Sequence, residues 1–168
     1  MPDDTLYHTD ILAWSRAQAE RLRRVAAGER VNDVDWEHVI EEMEEVGRSQ
    51  LDAVRSFLQL AMLHALKVLA WPDHDAADHW TQEIANSLVE AQERFEPGMQ
   101  QHSDPVAIYA RALRRLRRLP PMRGAPPPLP LPDAVAFTAA ELRDPDFGVA
   151  DLLERIRAAQ APLLPQAP

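Results

Sequence analysis

The 168 residues include no cysteine. That one absence removes disulfides, thiol catalysis and thiolate-held zinc or iron–sulfur clusters. The five glycines are all isolated, so there is no glycine-rich loop to cradle a phosphate. There is no G-x-S-x-G turn either: Ser15, Ser49, Ser56, Ser87 and Ser103 stand in no catalytic context. Strand-type alternation of apolar and polar residues is scarce. No apolar run follows a basic start, so no secretory signal is read at the N-terminus. The longest apolar stretch, Phe57 to Trp71, is short for a bilayer span and carries His64 and Lys67. These absences lead to the expectation of a cytoplasmic protein with no cofactor and no membrane partner.

What remains is rich in Ala, Leu, Glu and Arg, which fixes the class as all-α. The length suits one domain with a sizeable core. The expected architecture is a four-helix bundle-like domain over residues 1–119, a proline-rich connector over 120–132 and a C-terminal helical appendix over 133–168. The appendix would pack on the core or on a partner, and its last residues would be frayed. Its centre should be Phe57–Trp71, where only Gln59, His64 and Lys67 are polar and a helix must have neighbours on most sides.

A first helix is expected within residues 1–30, capped by Thr5 or Thr9 and stopped at Gly28. Its stripe is Tyr7, Ile11, Trp14, Leu22 and Val25, interrupted by Gln18. The second helix starts at Asp33 or Asp35 and carries Trp36, Val39, Ile40, Met43 and Val46 on one face. Unbroken to Trp71 it would be ~55 Å long, more than the ~40 Å span of a compact domain of this size. It must therefore bend near Gly47 and Ser49 or project. A third helix over Ala76–Phe95 has a buried face of Trp80, Ile84, Leu88, Ala91 and Phe95. Asp104-Pro105 opens a fourth, with Ile108, Tyr109, Ala112, Leu113 and Leu116 inward. Seven of the thirteen residues from Pro120 to Pro132 are proline, an extended segment short of amide donors. Thr138-x-x-Glu141 fits a capping box, and Val149–Gln160 is amphipathic through Leu152, Leu153 and Ile156.

Several of these blocks carry a family resemblance. Y-H-T-D-I-L-A-W-S-R-A-Q-A-E-R-L-R (Tyr7–Arg23) and W-E-H-V-I-E-E-M-E-E-V-G-R-S-Q (Trp36–Gln50) resemble domain-of-unknown-function family 29, small bacterial helical proteins. L-A-M-L-H-A-L-K-V-L (Leu60–Leu69) is similar to that family's H-L-L-K block, and F-T-A-A-E-L-R-D-P-D-F (Phe137–Phe147) to its closing block. The resemblance covers most of residues 5–148. It implies a helical fold and brings no established activity or cofactor. Val68 stands where the family has a second tryptophan, the segment before Trp80 is acidic where relatives are basic, and the proline-rich stretch is unusual.

Charge is unevenly spread around a net −9. Seven acids and no Lys or Arg lie between Val31 and Gly47: Asp33, Asp35, Glu37, Glu41, Glu42, Glu44 and Glu45. Six arginines and no acid lie from Arg111 to Arg123: Arg111, Arg114, Arg115, Arg117, Arg118 and Arg123. The arginines could meet phosphates, but net acidity and a lone neighbouring aromatic, Tyr109, disfavour a nucleic-acid partner. The candidate polar cluster is Glu41, Glu45, Arg48, His64 and Lys67, because charges in an apolar stretch need partners. Paired Glu-x-x-His sequences, as in carboxylate-bridged metal bundles, are missing; only Asp35-x-x-His38 comes near. His74, Asp75 and His79 are the one weak metal candidate. With no catalytic spacing, the expected function is a non-catalytic interaction module that self-associates as a homodimer. The competing reading is an enzyme or a small-ligand or metal-binding bundle built on the Glu/His/Lys cluster.

Overall fold

The computed structural model describes residues 2–122 and 124–165, with side chains from Thr5 onward. Seven α-helices follow in order among them: α1 Pro2–Thr9, α2 Ile11–Ala26, α3 Trp36–Ala70, α4 Ala77–Arg94, α5 Pro105–Arg117, α6 Ala139–Arg143 and α7 Val149–Gln160. Short 3₁₀ turns occupy Pro97–His102 and Ala161–Leu163. No strand occurs among the described residues. The all-α expectation and the long central helix both hold.

By internal contacts the chain divides into two compact units, Met1–Ser49 and Gln50–Pro168. This boundary differs from the one composition suggests. It falls inside α3, which stays helical through Gly47 and Ser49, and the proline-rich stretch and C-terminal helices belong to the second unit.

In the first unit the expected single helix is two. Asp10 breaks it: its carboxylate accepts the Ala13 amide at 2.9 Å and caps α2. Neither Thr5 nor Thr9 caps a helix start here; the Thr9 hydroxyl donates to the Thr5 carbonyl. The stop at Gly28 is as expected, with φ of +85° and its amide on the Val25 carbonyl. Asp35 starts α3 by accepting from the His38 amide. The only buried side chains among those described here are Trp14 and Gln18.

The second unit is built on the apolar half of α3. All nine buried residues of that helix lie between Val54 and Ala70. Every residue expected on the inward faces of α4 and α5 is buried. The C-terminal elements join the same core through Val135, Phe137, Leu142, Leu152 and Ile156. The Thr138–Glu141 capping box forms. Arg155 adds a 2.7 Å bond to Glu141, and the bonds from Arg155 and Thr138 hold the Glu141 carboxyl down to about 2.

The proline-rich stretch is fastened at its carbonyls and not free as a tether. Trp71 Nε1 donates to Pro126, the buried Tyr109 hydroxyl to Pro132 and Gln160 Nε2 to Pro130, at 2.8, 2.8 and 2.9 Å. The Leu129 amide donates to the Ala70 carbonyl at 2.9 Å. Proline lacks a donor but keeps its acceptor, so side-chain donors do the anchoring.

Ile156→Ala should lower stability by about 2–5 kcal/mol, read by urea denaturation. A loss under roughly 0.5 kcal/mol, as at a surface position, would detach α7 from the core.

Candidate functional site

In the first unit α3 meets α1 and α2 through its polar side. The Tyr7 hydroxyl donates to Glu42 Oε1 at 2.7 Å, and the Tyr7 ring stacks on His38 with centroids 3.9 Å apart. Trp14 Nε1 donates to Asp35 Oδ2 at 3.0 Å, and the Asp35 amide donates to Gln18 Oε1 at 3.0 Å. His38 Nδ1 lies 2.8 Å from Asp35 Oδ2. The residue that interrupts the sequence stripe, Gln18, is thus buried with a partner. The Asp35–His38 pair was visible in sequence as an i,i+3 spacing, although as a fragment of a metal pattern and not as the helix-start contact it makes.

Burial works to raise the Asp35 carboxyl, but the bonds from His38 and Trp14 outweigh it and hold the group below its usual range. The bond to Glu42, helped by burial and by the charges of Glu41, Glu42 and Asp35, pushes the Tyr7 hydroxyl up to about 12. General acid–base catalysis needs groups poised near the working pH. Here the acid is fixed ionised and the phenol fixed protonated, so this network positions helices.

Turning the polar side inward leaves the apolar side out. Trp36, Ile40, Met43 and Val46 are 53, 55, 72 and 61% exposed. Gly47, four residues after Met43, falls on the same face, and a Cβ placed there would meet nothing within 4 Å. Ile11 and Leu12 add exposed apolar surface on α2.

The five residues of the candidate polar cluster divide between the units. Glu41, Glu45 and Arg48 are exposed in the first, where Arg48 pairs with Glu45 at 3.0 Å. His64 and Lys67 are half-buried in the second. Lys67 Nζ lies 5.6 Å from the centre of the Trp80 ring, a cation–π distance. Burial lowers the Lys67 pKa, with Arg115 adding to it. Nδ1 of His64 is enclosed without a hydrogen-bond partner. Burial, then Lys67, His79 and Arg115, lowers the His64 pKa against the opposing charge of Glu83.

For the metal candidate, the His74 ring stacks on Trp80 and its Nδ1 accepts the Ala76 amide at 3.0 Å. Among the described residues no three His, Asp or Glu side chains gather in a way that could hold a metal ion.

Several clefts open on the second unit, one of about 520 Å³ beside His74 and Asp75, and two others bear on ligand binding. One of about 570 Å³ lies between Trp71, Leu113, Leu116 and the prolines. Its only charged wall residue, Arg117, is already paired with Asp133 at 2.7 Å, so no free polar group is left to orient a ligand. The other, about 340 Å³, is lined by Gln59, Leu119 and four arginines: Arg111, Arg114, Arg115 and Arg118. None of these four has an ion pair among the described residues. Arg123 lies outside the described residues.

The family model described as "Domain of unknown function DUF29" matches residues 6–148. No curated protein matches the chain. A crystal structure of an α-helical protein of unknown function from Rhodospirillum rubrum superposes with a TM-score of 0.67. It is 24% identical, and the match covers 89% of this chain and 96% of that one. At that identity the likeness is one of fold.

The depressed His64 pKa sets a sign for stability. Below the ordinary histidine value of 6.5 the unfolded chain takes up a proton that the folded chain resists, so stability falls as pH drops through that window. His64→Leu should flatten this decline between pH 7 and 5, read by urea midpoints. An unchanged slope would show that Nδ1 finds a partner.

Proposed function

Because this chain belongs to the DUF29 family, which brings a helical fold and no assigned chemistry, we propose a non-catalytic interaction module that pairs with a second copy of itself. The observation supporting this is the outward apolar stripe of α3. A surface helix normally buries its apolar face and shows its polar one. Here Asp35, His38 and Glu42 on or beside that helix hold Tyr7 and Trp14, and Trp36, Ile40, Met43 and Val46 are left in water. A unit with two buried side chains among those described has little core of its own. A second stripe laid on the first would supply one, with Gly47 as an open notch for close approach. In a two-fold pair the patch is its own complement, and a homodimer is the form proposed.

The magnitudes set how strong such a pair is. Each of the four residues is 53 to 72% exposed, so completing its burial contributes about 1 kcal/mol. Two copies then give about 8 kcal/mol against roughly 4–15 kcal/mol of lost translational and rotational freedom. The stripe alone sustains a weak pair. The proposed setting is the bacterial cytoplasm. Among the described residues one helix, α3, is long and apolar enough to cross a bilayer, and its apolar half lies in the core of the second unit.

One observation favours a second reading, a small-ligand site at the His64 and Lys67 part of the Glu/His/Lys cluster, within the second unit. The enclosed, unpartnered Nδ1 of His64 beside Lys67 would accept a bond from a ligand donor. Chemical-shift changes at His64 on screening small hydroxylated compounds would support that reading, and none across the screen would remove it.

The self-association proposal predicts a wild-type dimer in sedimentation at tens of micromolar. Ile40→Glu/Met43→Glu should be monomeric there, with unchanged circular dichroism because both positions are exposed. A wild type that stays monomeric, or a double variant that still pairs, would refute it.

A further inference from the structure

A charged surface on each unit is left without a counterpart. On α3, Glu37, Glu41 and Glu44 follow at i, i+4 and i+7, so they form one stripe beside the apolar one. All three are exposed, and none has an ion pair among the described residues. Glu42 and Glu45 are occupied by Tyr7 and Arg48 and fall outside it. On α5 and its C-terminal cap residue, Arg111, Arg114, Arg115 and Arg118 follow at i, i+3, i+4 and i+7. They too are exposed, unpaired among the described residues and on one face. Each stripe spans seven residue steps, a rise of about 10.5 Å.

Four guanidiniums on one face repel one another, and like charges at i,i+4 are destabilising. The dipole at the end of α5 offsets only its last turn. Other arginines of this chain do meet acids nearby, among them Arg21 with Asp33, Arg24 with Glu29, Arg117 with Asp133 and Arg155 with Glu141. The α5 face and the α3 stripe are groups of charge unpaired among the described residues, of opposite sign and equal length.

We propose that the Arg111/Arg114/Arg115/Arg118 face of one copy is a docking site for the Glu37/Glu41/Glu44 stripe of a second copy. This rests on self-association and names the contact that sets its partner choice. The occupant is a second copy because complementary charge at matching spacing is present on the same sequence. The contact supplies what the apolar stripe lacks, since complementary charge raises the rate and specificity of encounter. Gln59 at the edge of the arginine cleft can accept and donate hydrogen bonds to the incoming helix.

The test is a two-sided charge reversal, read by sedimentation at 50 and 500 mM salt. Wild-type association should weaken about tenfold or more at the higher salt, because exposed charges are screened beyond a few ångströms there. Arg111→Glu/Arg114→Glu/Arg118→Glu and Glu37→Arg/Glu41→Arg/Glu44→Arg should each fail to self-associate. Mixed together they should associate again, since each then presents the other's complement. Arg114→Gln, which changes a single exposed charge, should show a smaller loss if a triple variant does not fold. Dissociation of Ile40→Glu/Met43→Glu with no effect of the arginine reversal would overturn this contact and leave self-association standing. A monomeric wild type would overturn both. Unchanged pairing of the arginine variant combined with loss of nucleic-acid retardation would overturn it in favour of a nucleic-acid partner.

Discussion

The C-terminal end of α3 is apolar, buried and stopped by Pro72, yet its last carbonyls have no partner within the helix. A buried carbonyl without a donor costs about as much as a lost hydrogen bond, so donors must come from elsewhere. The Trp71 amide closes on Lys67, Gln160 Nε2 reaches Leu69 at 3.3 Å and the Leu129 amide reaches Ala70. Two of these three donors lie far along the chain, one in the proline-rich stretch and one at the end of α7. Leu129 is one of the few residues of that stretch that still has an amide proton. The same Gln160 side chain also bonds Pro130, so a single amide ties three segments. The C-terminal part of the chain is therefore a structural component of the second unit, closing the end of its central helix.

In the first unit the dominant interaction is of another kind. Tyr7, Trp14 and Gln18 each present a polar handle, and these handles meet Glu42, Asp35 and the Asp35 amide. The aromatic rings add area through stacking on and edge contacts with His38. Such contacts are directional, so they fix how α1 and α2 sit on α3. They release little apolar surface from water, however, and net hydrogen-bond gains are near 1 kcal/mol each. A unit held in this way is well specified but lightly stabilised. The unburied apolar stripe is the other side of the same arrangement.

The sequence revealed the second unit more fully than the first. Periodicity identified the inward residues of α4 and α5 because a face of Trp80, Ile84, Leu88, Ala91 and Phe95 has only one way to leave water. Local chemistry placed the starts: Asp104 before Pro105 caps α5, and Thr138 with Glu141 forms its box. The break at Asp10 was hidden because Tyr7, Ile11 and Trp14 keep helical spacing straight across it. The direction of the α3 stripe was hidden for a different reason. Periodicity says which residues share a face, not whether that face turns inward, and here side-chain hydrogen bonds decided against the usual orientation. The proline stretch announced its missing donors but not the indole, phenol and carboxamide that bind its carbonyls. The candidate polar cluster drew on residues that fall in two different units, a boundary that spacing along one helix could not reveal.

The protonation states set fixed charge apart from free charge. A proton-transfer site keeps an acid and a base within a few units of neutrality and within reach of substrate. Three of the perturbed groups here depart from that pattern. The Tyr7 phenol is pushed up to about 12 by Glu42, and the Asp35 carboxyl is held ionised by His38 and Trp14. His64 is favoured neutral, as a base would be, but its Nδ1 is sealed from solvent and from any donor. Of the charges that remain free, those of the α3 stripe and the α5 face are exposed and grouped by sign on separate helix faces. Grouped surface charge of this kind is what the proposed self-recognition would draw on.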